Sequence, residues 1–117
     1  MAAFQPGQIV IADWRDALPK EANKVRPAVV IEDSALFDPD YPNVILVPLT
    51  EDANMVVAEL SVRIDPTPEN GCTKPCFAAS PQVTATSKLR VRPTASRITT
   101  AQLTQIRRQV AEAIGLG

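Results

Sequence analysis

The spacing of apolar and polar positions changes along the chain. Up to about residue 93, short apolar runs alternate with loops that contain proline, glycine or asparagine. Runs of this kind predict β-strands. We place strands at residues 8–14, 25–32, 44–50, 56–64 and 76–80, and a β-like stretch at 81–93. The 56–64 run is the weakest, because only its second half alternates strictly between polar and apolar residues.

The last segment has a helical pattern instead. Thr99 is followed three residues later by Gln102, which matches a helix capping box. Four apolar residues then fall at spacings of three, four and four, forming one stripe of a helix: Leu103, Ile106, Val110 and Ile114. Glycines at 115 and 117 predict its end. Arg107 and Arg108 lie off the stripe, so we expect them in solvent.

Several strands followed by one helix predict a mainly β, α+β fold. The chain has 117 residues, which suits a single domain covering residues 1–117. Because the predicted strands are short and closely spaced, we expect an antiparallel sheet curled into a small barrel, with the C-terminal helix packed against it.

Charge is unevenly distributed, although the net charge is only −1. Residues 1–69 carry 12 acidic and 5 basic residues, whereas residues 70–117 carry 1 acidic and 7 basic residues. The basic residues of the second part are either a solvated face or a surface for a polyanion or an acidic peptide. They include Lys88, Arg90, Arg92, Arg97, Arg107 and Arg108.

Other features of the composition exclude several classes of protein. The chain has no histidine, which excludes Ser-His and Cys-His catalytic pairs and histidine-ligated metal sites. No apolar run reaches the roughly 18 residues that indicate a transmembrane helix, and the first residues lack the features of a signal peptide. We therefore expect a cytoplasmic protein without a membrane partner.

Two predicted strands carry polar residues at their ends. Arg26 precedes Pro27 at the start of one strand, and Thr50 ends the next, two residues after Pro48. A guanidinium matches the geometry of a phosphate, and Pro27 restricts the backbone that carries it. A threonine hydroxyl can donate to a phosphate oxygen. If the two strands are neighbours, Arg26 and Thr50 can form an anion site.

Four segments, in order, resemble the MazF/PemK family of bacterial toxins: GQIVIADW, KVRPAVVI, VILVPLT and the NGCTKPC turn. The resemblance extends over nearly the whole chain, including the predicted helix. It implies a small SH3-like β-barrel with a C-terminal α-helix, of the kind shared by MazF-like and CcdB-like toxins. It also implies a homodimeric toxin of a type II toxin–antitoxin system, which an acidic antitoxin segment neutralises.

The implied activity is cleavage of single-stranded RNA by an endoribonuclease that needs no metal or other cofactor. Carried over by position, the family's catalytic arginine and threonine fall on Arg26 and Thr50, and its loop glutamate falls on Glu21. For substrate binding we expect the basic side chains of Lys24, Lys88 and Arg90, together with base stacking on Trp14.

The sequence also departs from the family. Glu51 and Asp52 follow Thr50 directly, and carboxylates there would repel a phosphate unless a basic side chain pairs with them. Two alternatives therefore stay open: a gyrase-poisoning toxin of the CcdB type that acts through its C-terminal helix, and a catalytically weak relative that only binds nucleic acid or antitoxin.

Cys72 and Cys76 are separated by three residues, and the chain has no histidine or further cysteine, which argues against a zinc site. We expect one turn cysteine and one buried apolar cysteine. A disulfide is the alternative, although a reducing cytosol disfavours it.

Overall fold

The computed structural model describes residues 4–15 and 25–116. These residues form seven β-strands and one α-helix. The strands are β1 (Gln8–Asp13), β2 (Val25–Val30), β3 (Asn43–Thr50), β4 (Ser61–Ile64), β5 (Cys76–Ala79), β6 (Thr84–Ser87) and β7 (Val91–Arg97), and the helix is α1 (Thr100–Ala113).

All the strand pairings are antiparallel, and they follow the order β4-β5-β3-β2-β1-β7, with β6 paired to β3. The longest strand, β3, pairs with β2, β5 and β6 along its length. The antiparallel sheet followed by a helix confirms the predicted fold class. Among the described strands no ladder joins β4 to β7, so the sheet stays open where the sequence predicted closure into a barrel.

Alternation along the strands buries both faces of the sheet. Ile9, Val29 and Val47 belong to one apolar cluster, which also contains Leu103 and Ile106 of α1. Residues one position away, such as Val10 and Val30, belong to a second cluster. Because side chains alternate between faces with a period of two, each central strand contributes to both clusters and resists a change of register.

Helix α1 begins with the predicted capping box. The amide of Gln102 donates to Oγ1 of Thr99, and the amide of Thr99 donates to Oε1 of Gln102. Near the other end, the side chain of Gln109 accepts from Ser80 at 2.7 Å and donates to the carbonyl of Ser61 at 3.0 Å. These bonds fix the helix against the end of the sheet at which β4 begins. None of the described helices has the length and apolar character needed to cross a membrane.

Two local predictions are corrected. The run predicted as a strand at 56–64 is extended only over Ser61–Ile64, and 3₁₀ turns at Ala53–Met55 and Ala58–Leu60 precede it. The 81–93 stretch divides into β6 and β7, separated by another 3₁₀ turn. Arg107 is exposed as predicted, but its guanidinium also donates to the carbonyls of Ile31 and Glu32 at 2.8 and 2.9 Å.

Replacing Thr99 with alanine should lower the free energy of unfolding by about 1 kcal/mol, because the N-cap acceptor of α1 is lost. Urea denaturation monitored by circular dichroism measures this change. Thr104→Ala is the matched control, since Thr104 is an exposed residue inside the same helix, and it should leave stability unchanged or slightly higher. Equal losses in the two variants would contradict the capping role.

Candidate functional site

The register between β2 and β3 directs Arg26 and Thr50 to the same end of the sheet. Ala28 lies opposite Pro48 at the last pair of this ladder, and Arg26 and Thr50 each lie two residues beyond it. There Arg26 lies opposite Ala12 of β1, and Thr50 lies opposite Phe77 of β5. Two residues that are 24 positions apart in the sequence therefore reach one groove at this end of the sheet.

Arg26 and Thr50 line one groove with a volume of about 620 Å³. Strands β1, β2, β3 and β7 contribute side chains to it, as does the turn that leads into β5. The described lining residues include Ile9, Ile11, Pro27, Leu49, Thr94 and Ser96 from the sheet, and Asn70, Gly71, Cys72, Thr73 and Lys74 from the turn. The groove thus combines an apolar surface with a few polar groups, which is usual for a ligand site.

Arg26 is half-buried at the wall of the groove. Within the described part of the chain it makes no ion pair or hydrogen bond. Its guanidinium therefore keeps its donors available for an anion.

The hydroxyl of Thr50 is oriented by the chain that follows it. The amide of Asp52 donates to Oγ1 of Thr50 at 3.1 Å. A hydroxyl that accepts this bond still has its own proton to donate. Thr50 is half-buried, so its position is restricted while its proton can reach a ligand in the groove.

The two carboxylates after Thr50 both have local partners. Asp52 accepts from the amide of Asn54 at 2.9 Å and so caps a 3₁₀ turn. Glu51 lies 4.0 Å from Nζ of Lys74 across the groove, and both side chains are more than half exposed. An exposed pair at this distance contributes little stability. The pair does affect the electrostatic potential of the groove, because the positive charge of Lys74 offsets the negative charge of Glu51 beside Thr50.

The turn that carries Lys74 is held by a buried asparagine. The side chain of Asn70 accepts from the amides of Thr67 and Cys72 and donates to the carbonyl of Asp65. Gly71 follows with φ +66°, and a Cβ there would lie 2.7 Å from Oγ of Ser96. The sequence predicted a sharp turn at Asn70-Gly71, but not that this turn forms a wall of the groove.

Other predicted binding residues lie elsewhere. Trp14 is buried, with only 8% of its surface exposed, and its indole donates to Oγ1 of Thr86 at 3.1 Å. The prediction that it stacks on a base is therefore wrong for this conformation, because its ring is part of the core. Lys88 donates to the carbonyl of Pro39 at 3.2 Å, and it is not among the described residues that line the groove.

Arg90 lies in a second depression, together with Arg15 and Arg92. Its guanidinium donates to the carbonyls of Asp13 and Arg15 at 3.3 and 3.1 Å. Hydrogen bonds from Arg15 lower the pKa of Asp13 to about 2. The basic residues of the C-terminal part are thus spread over several places. Lys74 lines the groove, Arg90 and Arg92 line the second depression, and Arg107 and Arg108 belong to α1.

Two predicted site residues, Glu21 and Lys24, fall outside the described residues. The roles assigned to them from the sequence stay predictions.

Solved structures with the same fold are MazF toxins and related endoribonucleases. A MazF from Deinococcus radiodurans superposes with a TM-score of 0.78 at 16% identity, covering 95% of this chain and 96% of that one. A mycobacterial endoribonuclease in complex with its cognate antitoxin gives 0.74 at 18%, covering 99% and 98%. A MazF toxin from Mycobacterium tuberculosis gives 0.70 at 18%, covering 94% and 98%. At these identities the likeness establishes the fold.

The sequence itself gives the assignment to a family. No curated protein matches it, but a family model described as PemK-like, MazF-like toxin of type II toxin–antitoxin system matches residues 5–114. That match includes both strands of the Arg26/Thr50 pair, the Asn70-Gly71 turn and α1. The chain therefore belongs to the PemK/MazF family of toxins of type II toxin–antitoxin systems.

Proposed function

We propose that this toxin is an endoribonuclease that cleaves single-stranded RNA in the groove between β2, β3 and the Asn70-Gly71 turn. The observation that carries the proposal is that Arg26 and Thr50 both line the wall of that groove. Both are hydrogen-bond donors, and neither is committed to another acceptor among the described residues. A phosphodiester is the natural ligand for such a pair, because its two non-bridging oxygens can each accept one donor.

The proposed reaction uses a nucleophile from the substrate. The ribose 2′-hydroxyl attacks the adjacent phosphorus in line with the leaving 5′-oxygen. This step gives one product with a 2′,3′-cyclic phosphate and another with a 5′-hydroxyl. Negative charge builds on the non-bridging oxygens in the transition state, where Arg26 and Thr50 stabilise it. One preorganised donor of this kind contributes about 3–4 kcal/mol of transition-state stabilisation.

Arg26 is proposed to bind the phosphate and to stabilise the leaving group. A guanidinium has donors but no acceptor, so Arg26 is a poor general base. Glu21 remains our proposed base, because its carboxylate can accept the proton of the 2′-hydroxyl if its loop folds towards the groove. The scheme requires no metal ion or other cofactor.

An unpaired RNA strand suits the groove better than a duplex. The lining combines apolar side chains of the sheet with the polar Asn70-Gly71 turn. An unstacked base can pack against the apolar side chains and form hydrogen bonds with the turn. In a duplex, stacking and the deep major groove keep the base edges from reaching such a surface.

We propose that the toxin has two protein partners, an antitoxin segment and a second copy of the chain. We also propose that it acts in the cytoplasm. The family description supports the antitoxin, and so does the mycobacterial relative, which was solved with its cognate antitoxin. Arg26 and Lys74 give the groove cationic groups that suit an acidic segment. A segment bound there would compete directly with RNA.

Removing either donor should abolish most of the cleavage. Arg26→Ala and Thr50→Val should each lower the single-turnover rate on a single-stranded RNA by about 10²–10³-fold, because each removes one donor to the transition state. Thr50→Ser should retain much of the activity, since it keeps the hydroxyl. End-mapping of the products should give 2′,3′-cyclic phosphate and 5′-hydroxyl ends, and EDTA should not slow the reaction.

Arg63→Ala is the matched control for the loss of an arginine. Arg63 is exposed, pairs with Asp65 and does not line the groove, so its variant should cleave like the parent protein. Growth arrest that survives both Arg26→Ala and Thr50→Val and depends on residues of α1 would contradict the proposal and favour a toxin of the gyrase-poisoning type.

Charge changes at the groove wall should shift RNA affinity in opposite directions. Lys74→Gln should weaken binding and lower the slope of log K against log salt by about 1, since one phosphate contact is lost. Glu51→Gln should tighten binding several-fold, because it removes a carboxylate that repels phosphate. Fluorescence anisotropy with an RNA blocked by 2′-O-methyl groups measures both changes without cleavage. Weaker binding by Glu51→Gln would contradict this electrostatic account.

A further inference from the structure

The two cysteines of the chain are in contact at the wall of the groove. Their Sγ atoms lie 4.0 Å apart, and both thiols are free. Cys72 is half-buried in the turn, whereas Cys76 is the first residue of β5 and only 6% exposed. Both line the groove that contains Arg26 and Thr50.

The backbone on either side holds the sulfurs near each other. The amide of Cys72 donates to Oδ1 of Asn70 at 2.9 Å, and Cys76 is paired with Ile64 in the sheet. The three residues between the cysteines are all exposed, so they can adjust without breaking core contacts. A disulfide requires a sulfur separation of about 2.05 Å, which a rotation of the Cys72 side chain and a small movement of the 73–75 loop can provide.

We propose that Cys72 and Cys76 form a reversible oxidation site, which closes to an intramolecular disulfide when the protein meets hydrogen peroxide. The bond would close a ring around Thr73, Lys74 and Pro75 and fix the part of the groove wall that carries Lys74. This inference does not depend on the reaction proposed for Arg26 and Thr50.

The chemistry takes two balanced steps. The thiolate of Cys72 attacks one oxygen of hydrogen peroxide, the O–O bond breaks, and the departing hydroxide takes up a proton to leave as water, so that Cys72 becomes a sulfenic acid. The sulfur of Cys76 then attacks the sulfur of Cys72, and the S–O bond breaks. The hydroxide released takes the Cys76 proton and leaves as a second water.

The order of the steps follows from burial. Cys72 is the more exposed thiol, so it meets the oxidant first. Burial and, to a smaller extent, the neighbouring Cys72 together raise the pKa of Cys76 to about 12. Cys76 is therefore protected from peroxide, and its sulfur, 4.0 Å from that of Cys72, is placed to resolve the sulfenic acid.

Peptide mapping provides a direct test on the folded, full-length protein. Trypsin should leave both cysteines in one peptide, residues 64–88, because Lys74 is followed by Pro75. After treatment with peroxide and alkylation of the remaining thiols, we expect this peptide to lose two hydrogens and to bind no alkylating agent. Dithiothreitol should restore both thiols, and the chain should run as a monomer on a non-reducing denaturing gel.

Single variants separate the two roles. Cys76→Ala should leave a sulfenic acid on Cys72 that dimedone traps, and Cys72→Ala should leave Cys76 unreacted at the same peroxide concentration. Three results in the parent protein would overturn the proposal: retention of both thiols, sulfinic acid on Cys72 without a disulfide, or disulfides between chains only. Because these results come from the parent protein, the test stands even if Cys76→Ala folds poorly.

Discussion

The pairing of β2 with β3 is the constraint on which the site depends. Val29 and Val47 lie opposite each other in this ladder and are completely buried. A shift of one residue would turn them from one apolar cluster to the other face, with loss of packing on both sides. Because the core fixes this register, it also brings the strand ends that carry Arg26 and Thr50 to one groove. Hydrophobic packing in the middle of the strands thus positions polar chemistry at their ends.

The groove depends on contacts between distant parts of the chain. The turn at Asn70-Gly71 lies against Ser96 of β7, and β7 pairs with β1. Lys74, which follows the turn, brings a positive charge to within 4.0 Å of Glu51. The proposed phosphate site can therefore accommodate a carboxylate next to Thr50, since the charge that this carboxylate introduces has a partner across the groove.

Much of the fold could be predicted from local signals. Most strand runs, the Thr99–Gln102 capping box and the apolar stripe from Leu103 to Val110 depend on residues close together in sequence, and the structure confirms them. Ile114, the last residue of the predicted stripe, lies beyond the end of α1 and is exposed. The strand predicted to begin at residue 56 begins only at Ser61. The side chain of Asp52 caps a 3₁₀ turn at Ala53–Met55, and a second 3₁₀ turn at Ala58–Leu60 takes the place of the first half of the predicted strand.

The remaining differences come from partners that are far away in the sequence. Trp14 was predicted as a stacking surface, but its indole donates a hydrogen bond to Thr86 inside the core. Arg107 lies off the apolar stripe of α1, yet it reaches two backbone carbonyls at the end of β2. Periodicity describes one element at a time, so it contains no signal for such contacts. Arg26 and Thr50 were predicted as a pair because strand ends and a family resemblance both pointed to them.

The claim that Arg26 and Thr50 act together on one phosphodiester is tested most directly by a double-mutant cycle on the single-turnover cleavage rate. The parent protein, Arg26→Ala, Thr50→Val and the double variant are compared on one single-stranded RNA. Groups that stabilise the same transition state lose most of their joint effect when either is removed. We therefore expect the double variant to cleave hardly more slowly than the slower single variant. Rate losses that multiply would contradict the account, because they would show that the two side chains act independently.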